Sequence, residues 1–461
     1  MESKTAYALA LILLVVGIVV GYFAGGAGGG VQTVTVTKTV GGPGAQTVTV
    51  TKTVQAGGGA GLQGDVYVGA LLPLTGVLSS FGENNQVALK LAEKEINEWL
   101  AARGEDWRIK VFYEDTATDP KQALDKLQAL HARGVKIFIG PMSSAGVKEI
   151  KSYVDSNKLL VISQSSTSPA LAIPNDMIYR FCPTDEFQGP AAAKALYDMG
   201  ARYIVQVWRG DAWGDALAKA QEEAFKKLLQ QNGEQGEVWG QSNGKGIKYD
   251  PQAAEFTAVA SQLASAVQEL VDKYGADKVG VYFVAFGEYV QFATAAAQYD
   301  ILKKVHWVGS DGTALLGDIV SNEDVAKFAY ETKFVSPIFG APSPFQQRVA
   351  EAVKKELGRL PESYTYASYD ALWAVALSLE LVDSYDPVAV AKLLPSVVQR
   401  WMGATGTFEL NENGDRAYSD YMFWMPVPTD GKYEWKLVGI YHWKTSTLTW
   451  EDWFLQLLGK R

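Results

Sequence analysis

KIFIGPMSSAGVKEIKSYVDSNKLLVISQSSTSPAL, from Lys136 to Leu171, is the stretch that decides the fold. A short apolar run, Lys136 to Gly140, leads into a helical pattern from Ser144 to Ser156. A second apolar run, Leu159 to Ile162, follows, and Ser168-Pro169 opens another helical turn. Short strands alternating with helices return to the same end of a sheet and pair in parallel, so the pattern predicts a doubly wound α/β sheet. Upstream, VYVGALLPL from Val66 reads as a buried strand, Gln86 to Leu100 has helical spacing, and Ile109 to Tyr113 reads as a strand. Asp119-Pro120 is a cap and first-turn pair for a helix ending near Gly134.

Downstream, the rhythm restarts after Cys182-Pro183, which predicts a second sheet. Its strands are YIVQVW from Tyr203, VGVYFVAF from Val279 and HWVG from His306, with helices over Gly189 to Met199, Asp215 to Gln230, Pro251 to Tyr274 and Tyr289 to Tyr299. Phe334 to Pro342 reads as a crossing back. Helical patterns at Phe345 to Leu357, Tyr369 to Val382 and Val388 to Val398 are too few for a third domain and are expected to return to the first lobe. The C-terminal GTFELNENGD, YMFWMPV and WKLVGIYHW read as strands joined by turns. Two lobes of ordinary domain size also suit the roughly 395 residues that follow the N-terminal region.

That region is of a different kind. Ala6 to Ala24 is uncharged and mostly apolar behind Lys4, and at about 1.5 Å per helical residue it is long enough to cross most of a hydrocarbon layer. A membrane anchor is expected, with a cleaved signal segment as the competing reading. VQTVTVTKTV at Val31 to Val40 and AQTVTVTKTV at Ala45 to Val54 are near copies within a Gly-rich segment, so residues 25–64 read as an extended stalk. A functional strand pair is the other reading of the repeat.

Composition excludes several classes. A net charge of −9 and a pI near 5.1 leave no excess of cations to neutralise phosphates, so no nucleic-acid partner is expected. Cys182 is the one cysteine, and His131, His306 and His442 match no metal spacing, so neither a disulfide nor a metal is expected. No P-loop occurs, and no cofactor is expected. Gly240-Gln241-Ser242-Asn243-Gly244 matches the nucleophile-elbow pattern, but Lys245 to Pro251 reads as loop or irregular strand, where an elbow requires a helix. A serine hydrolase is therefore the remote alternative to a binding protein.

Ligands of open α/β sheets bind beyond the carboxyl ends of the strands, so the residues just after each strand are the candidates. Gly140-Pro141-Met142-Ser143-Ser144 and Ser163-Gln164-Ser165-Ser166-Thr167-Ser168 are hydroxyl-rich, uncharged turns at helix starts, suited to a carboxylate. Helix capping is the alternative use of the same residues. Trp213 and Phe286 follow two strands of the second sheet, either clamping a ligand or packing beneath the rim. Asp311, after HWVG and between Ser310 and Gly312, either receives an ammonium or stabilises a turn.

The chain resembles the type I periplasmic binding proteins of branched-chain amino-acid ABC transporters, the Leu/Ile/Val-binding group, from about Val66 to Trp450. The carriers are GALLPLTGVLSSFGENN, YEDTATDPKQALDKLQAL, GPMSS, ISQSSTSPAL, YRFCPTDEFQGPAAAKAL, GDAWGDALA, IKYDPQAAEFTAVASQL, VGSDG and SYDALWAVALSL. The resemblance implies that Ser143 or Ser144, with Ser165 and Thr167, holds a ligand carboxylate and that Asp311 receives its amino group. Phe81, Trp213 and Phe286 fall where the family places aromatic residues around the ligand; Phe81 and Phe286 lack a tyrosine's hydroxyl. It also implies lobes of residues 65–183 with 337–405 and 184–336 with 406–453, a tail at 454–461, and crossings near Cys182 to Glu186, Phe334 to Pro337 and Gly403 to Phe408. The implied protein is an extracytoplasmic monomer that closes on an amino acid and passes it to a membrane permease pair driven by a separate ATPase. Related proteins bind amides, urea, aromatic acids or sugars, or serve as sensors.

Overall fold

The computed structural model describes residues 31–39, 47–55, 61–340 and 342–460. The chain divides into two compact units between Gly61 and Leu62. In the first, Val31–Thr39 and Thr47–Gln55 pair antiparallel from Val31↔Gln55 to Thr39↔Thr47, so the two copies of the repeat are partners in one hairpin. The apolar segment Ala6 to Ala24 lies outside the described residues. Among the described residues no helix is long and apolar enough to cross a membrane.

The second unit holds the predicted pair of parallel sheets. The first runs in the order Trp107–Asp115, Gly64–Leu72, Ile137–Ile139, Leu160–Ser163, Ile178–Arg180, every pairing parallel. Its inner strands are buried on both faces, which is why they read as continuous apolar runs. The second sheet joins Ile247–Tyr249, Tyr203–Arg209, Val279–Val284 and His306–Val308, with Glu237–Trp239 also on Tyr203–Arg209, again all parallel. The fold is thus two doubly wound α/β lobes.

A third sheet is antiparallel: Ser336–Gly340, Asp420–Thr429, Lys432–His442 and Thr447–Trp450. The stretch read as a plain crossing at Phe334 to Pro342 therefore contains a strand, because Ser336–Gly340 finds a partner some eighty residues downstream that local pattern does not reveal. Residues read as a tail begin within a helix, Asp452–Leu457, whose Phe454 is fully buried against Trp450.

Caps fall where the sequence put them. Asp119 accepts the N–H of Gln122 with Pro120 in the first turn, and Ser143 accepts the N–H of Gly146 to start the helix Ser144–Asn157. Each such cap contributes about 1 kcal/mol. The first long helix, Ser79–Arg103, begins a full two turns before the apolar spacing appears. A Cβ at Gly82 would lie 2.0 Å from the Pro73 carbonyl oxygen, so this turn can press against the end of the first strand only with glycine there.

The turn Ser163–Ser168 is held from behind by a buried ion pair. Arg180 meets Asp415 through Nε–Oδ1 at 2.5 Å and Nη2–Oδ2 at 2.6 Å, and its Nη1 donates to the carbonyls of Ser166 and Ser168 at 3.1 and 2.7 Å. The bidentate geometry fixes the turn relative to a crossing segment.

Candidate functional site

Five strand ends converge on one cavity. From the first sheet come Met142, Ser143 and Ser144 after Ile137–Ile139, and Ser165 after Leu160–Ser163. From the second come Trp213 after Tyr203–Arg209, Phe286 after Val279–Val284, and Asp311 with Gly312 after His306–Val308. Leu78 and Phe81, at the start of Ser79–Arg103, and Tyr364, in the first turn of Ser363–Val382, complete the lining.

Trp213 and Phe286 stack with ring centroids 4.4 Å apart and planes 12° from parallel, forming one flat apolar wall. Phe81 lies opposite in the chain's other lobe, tilted against Tyr364 at 6.4 Å. The hydroxyls are largely committed. Ser143 Oγ caps its helix, Ser144 Oγ accepts from Ser166 Oγ and from the N–H of Ser168 at 3.2 Å each, and Ser165 Oγ donates to the Met142 carbonyl at 2.9 Å. Both Ser143 and Ser144 line the cavity.

Thr167 does not. Its Oγ1 donates to Asp185 Oδ2 at 3.1 Å, so it lies outside the cavity lining. Asp185 is a stronger local acceptor, and the backbone N–H of Asp185 bonded to the Thr167 carbonyl at 2.9 Å fixes that approach. The sequence pattern gave no sign of Leu78 and Tyr364 in the lining, nor of Gln188 and Asp185 behind it.

Asp311 is 3% exposed and is held on two sides. Its Oδ2 accepts the Tyr364 hydroxyl, and its N–H donates to Gln188 Oε1 at 2.9 Å. Gln188 Nε2 in turn donates to Asp185 Oδ1 at 2.8 Å, so one amide joins the Asp185 carboxylate to the backbone of Asp311. Asp311 Oδ1 is buried without a hydrogen-bond partner. Burial pushes the Asp311 carboxyl up to about 6, against the lowering effect of its Tyr364 and Gln188 hydrogen bonds. Asp185 is pushed well above the carboxylate range, by burial first and by the Asp311 charge second. A buried acceptor with nothing to accept from is costly, and a cationic donor removes both the missing bond and the charge penalty.

The lobes touch around the cavity. Gly287 N–H donates to the Val77 carbonyl at 3.0 Å, Ser168 Oγ to the Ala212 carbonyl at 2.7 Å, and Ser80 Oγ to Asp318 Oδ2 at 2.5 Å. Away from the cavity, Ser242 of the elbow-like motif binds Glu222 and Lys226, and the chain passes from it into the strand Ile247–Tyr249 and no helix.

Residues 84–429 match the receptor family ligand binding region. The chain belongs to that family, and its fold is that of the type I periplasmic binding proteins. It is 32% identical over 412 residues to an uncharacterised protein of Methanocaldococcus jannaschii, covering 84% of this chain and 92% of that one. It is 27% identical to Leu/Ile/Val-binding protein homolog 1 of Brucella abortus, over 80% of this chain and 92% of the relative. Among solved structures, a leucine binding protein LivK from Thermotoga maritima superposes with a TM-score of 0.64 at 20% identity, covering 80% and 97% of the two chains.

Proposed function

We propose that this chain is the extracytoplasmic substrate-binding subunit of an ABC importer and that it captures a neutral amino acid, branched-chain or similar, in the cavity between its lobes. The observation that carries the reading is the buried Oδ1 of Asp311, which has no hydrogen-bond partner among the described residues, in a cavity that no described Lys, Arg or His lines. An ammonium supplies the missing donor and charge. The ligand carboxylate lies at the start of the helix Ser144–Asn157, beside Ser143, Ser144 and Ser165, where the helix dipole favours an anion. Its side chain meets Phe81, Trp213 and Phe286, with Leu78 and Met142 extending the apolar surface. An aromatic acid without an ammonium would face a carboxylate and no compensating cation, so the zwitterion is favoured.

The two lobes, residues 65–183 with 337–405 and 184–336 with 406–453, close over the ligand, and a permease pair with its ATPase receives the closed form. Calorimetric titration against amino acids, amides, sugars and aromatic acids tests the reading. A neutral amino acid is expected as the strongest ligand; an aromatic acid or an amide bound more tightly than any amino acid overturns it.

Residues 1–24 anchor the protein and 25–64 tether it in this reading. Residues 62–461, which form their own compact unit, are then expected to be soluble, monomeric and as ligand-competent as the full chain, while the full chain fractionates with membranes. Gel filtration, titration and membrane fractionation check each part.

Asp311 also predicts a pH dependence. Its carboxyl takes up a proton below about pH 6 in the empty cavity, and an ammonium binds its ionised form. Affinity is expected to fall roughly tenfold per pH unit below that point. The contribution to the stability of the unliganded protein has the opposite sense. The folded state keeps this proton to a higher pH than the unfolded chain, so that contribution declines as pH rises from about 4 to about 6. Titrations and melting curves between pH 4.5 and pH 8 read both.

A further inference from the structure

Trp213 and Phe286 come from two different loops, yet they meet as one flat wall. Behind them stands Arg209, the last residue of the strand Tyr203–Arg209, 5% exposed and outside the cavity lining. Its guanidinium lies 4.7 Å from the Phe286 ring centroid. Its Nε meets Asp211 Oδ2 at 2.5 Å, and Asp211 Oδ1 accepts the N–H groups of Trp213 and Gly214 at 3.0 and 2.9 Å. Its Nη1 meets Glu288 Oε1 at 2.8 Å, two residues beyond Phe286, and that oxygen also accepts the Tyr249 hydroxyl at 2.8 Å. One side chain therefore touches one ring of the wall and ties down the loops that carry both. Buried ion pairs of this kind add little net stability, so what the cluster supplies is a fixed geometry.

We propose that Arg209 is a positioning residue that sets the shape of the cavity's aromatic wall and thereby which ligand side chains the cavity accepts; this rests on the reading of the cavity as an amino-acid site. The guanidinium's flat face and forked donors serve both ring contact and loop tethering, and a lysine ammonium offers only the charge.

The test compares the full-length protein with its Arg209→Lys variant, titrated with L-leucine, L-alanine and L-phenylalanine. The ratio of the strongest to the weakest affinity is expected to fall roughly fivefold, less than one whole desolvated cation–π contact is worth, while the unliganded melting temperature barely moves. An unchanged ratio in the folded variant overturns the proposal, since a purely structural ion pair would leave selectivity alone. If the wild type takes none of the three, the amino-acid reading fails, and the wall is read without ligand. The near-ultraviolet circular dichroism lost on Trp213→Phe is expected to be much smaller in the Arg209→Lys background, and an equal loss in both backgrounds overturns the positioning role. Should Arg209→Lys not fold, Glu288→Gln, which loosens the Phe286 loop alone, is put through the same two measurements with the same outcomes expected.

Discussion

Replacing Asp311 by asparagine is expected to weaken amino-acid binding at least about 30-fold, because removing one member of a buried charge pair costs about 2 to 5 kcal/mol. The amide keeps the shape of the side chain and can still accept the Tyr364 hydroxyl through its oxygen. What it loses is the charge at the position where Oδ1 has no partner within the protein. Asp311→Ala should therefore bind about as poorly as Asp311→Asn. A turn-stabilising role makes the contrary forecast: asparagine would substitute well, and alanine would lower the unliganded melting temperature. The unliganded protein is instead expected to gain from either change, since a buried carboxyl held near 6 is penalised whenever it ionises. Calorimetric titration at pH 7.5 with melting curves of the unliganded variants distinguishes the two. Wild-type affinity in the asparagine variant would remove the ammonium anchor and, with it, the preference for amino acids over uncharged solutes.

Gly287→Val is expected to weaken binding by roughly 5- to 150-fold without touching the ligand, the range that an overpacking penalty of about 1 to 3 kcal/mol gives. The Gly287 N–H donates to the Val77 carbonyl across the lobes, and a Cβ at this position would lie 2.5 Å from that oxygen. In the proposed closing mechanism, the penalty falls on the closed arrangement only. Affinity then drops in proportion to the fraction of molecules still able to close. Small-angle scattering is expected to show ligand shrinking the radius of gyration of the wild type, with more ligand needed for the same contraction in the variant. Equal affinity and equal contraction would mean that Val77 and Gly287 do not meet on closure.

The sheets were readable because their strands are buried on both faces and stand out as short apolar runs between helical patterns, as Ile137–Ile139 and Leu160–Ser163 do. The placement of the candidate residues after those strands was readable for the same reason: Ser143, Ser144, Ser165, Trp213, Phe286 and Asp311 all line the cavity. What escaped has a common physical origin. Three helices begin earlier than their apolar spacing announces: Ser79–Arg103, Asp185–Met199 and Ser363–Val382. Their first turns carry buried polar residues, namely Asn84 and Asn85, Asp185 and Gln188, and Thr365 and Ser368. Periodicity counts a polar residue as exposed, so it starts each helix a turn or more late. Asp185, Gln188 and Tyr364 sit in those hidden turns, where side chains find partners outside the local pattern: Gln188 accepts the N–H of Asp311, and Tyr364 donates to the Asp311 carboxylate. Asn84 and Asn85 likewise meet Glu362 at 2.7 and 2.9 Å, and no local pattern contains that. Thr167 lies outside the lining for a related reason, since its acceptor Asp185 belongs to one of the same turns.

If residues 25–64 act as the proposed tether, the paired repeat near the N-terminus changes how far it can reach. Fully extended, the 25 residues from Val31 to Gln55 would span about 80 Å at roughly 3.3 Å each. Folded as a hairpin with Val31 opposite Gln55, they begin and end side by side and contribute almost nothing to that span. Any leash drawn through this segment is shortened to the glycine-rich residues on either side of the hairpin. A short leash confines what it holds to a small volume, and encounter with a partner fixed at the other end then proceeds at a high effective concentration, independent of how much protein the compartment contains.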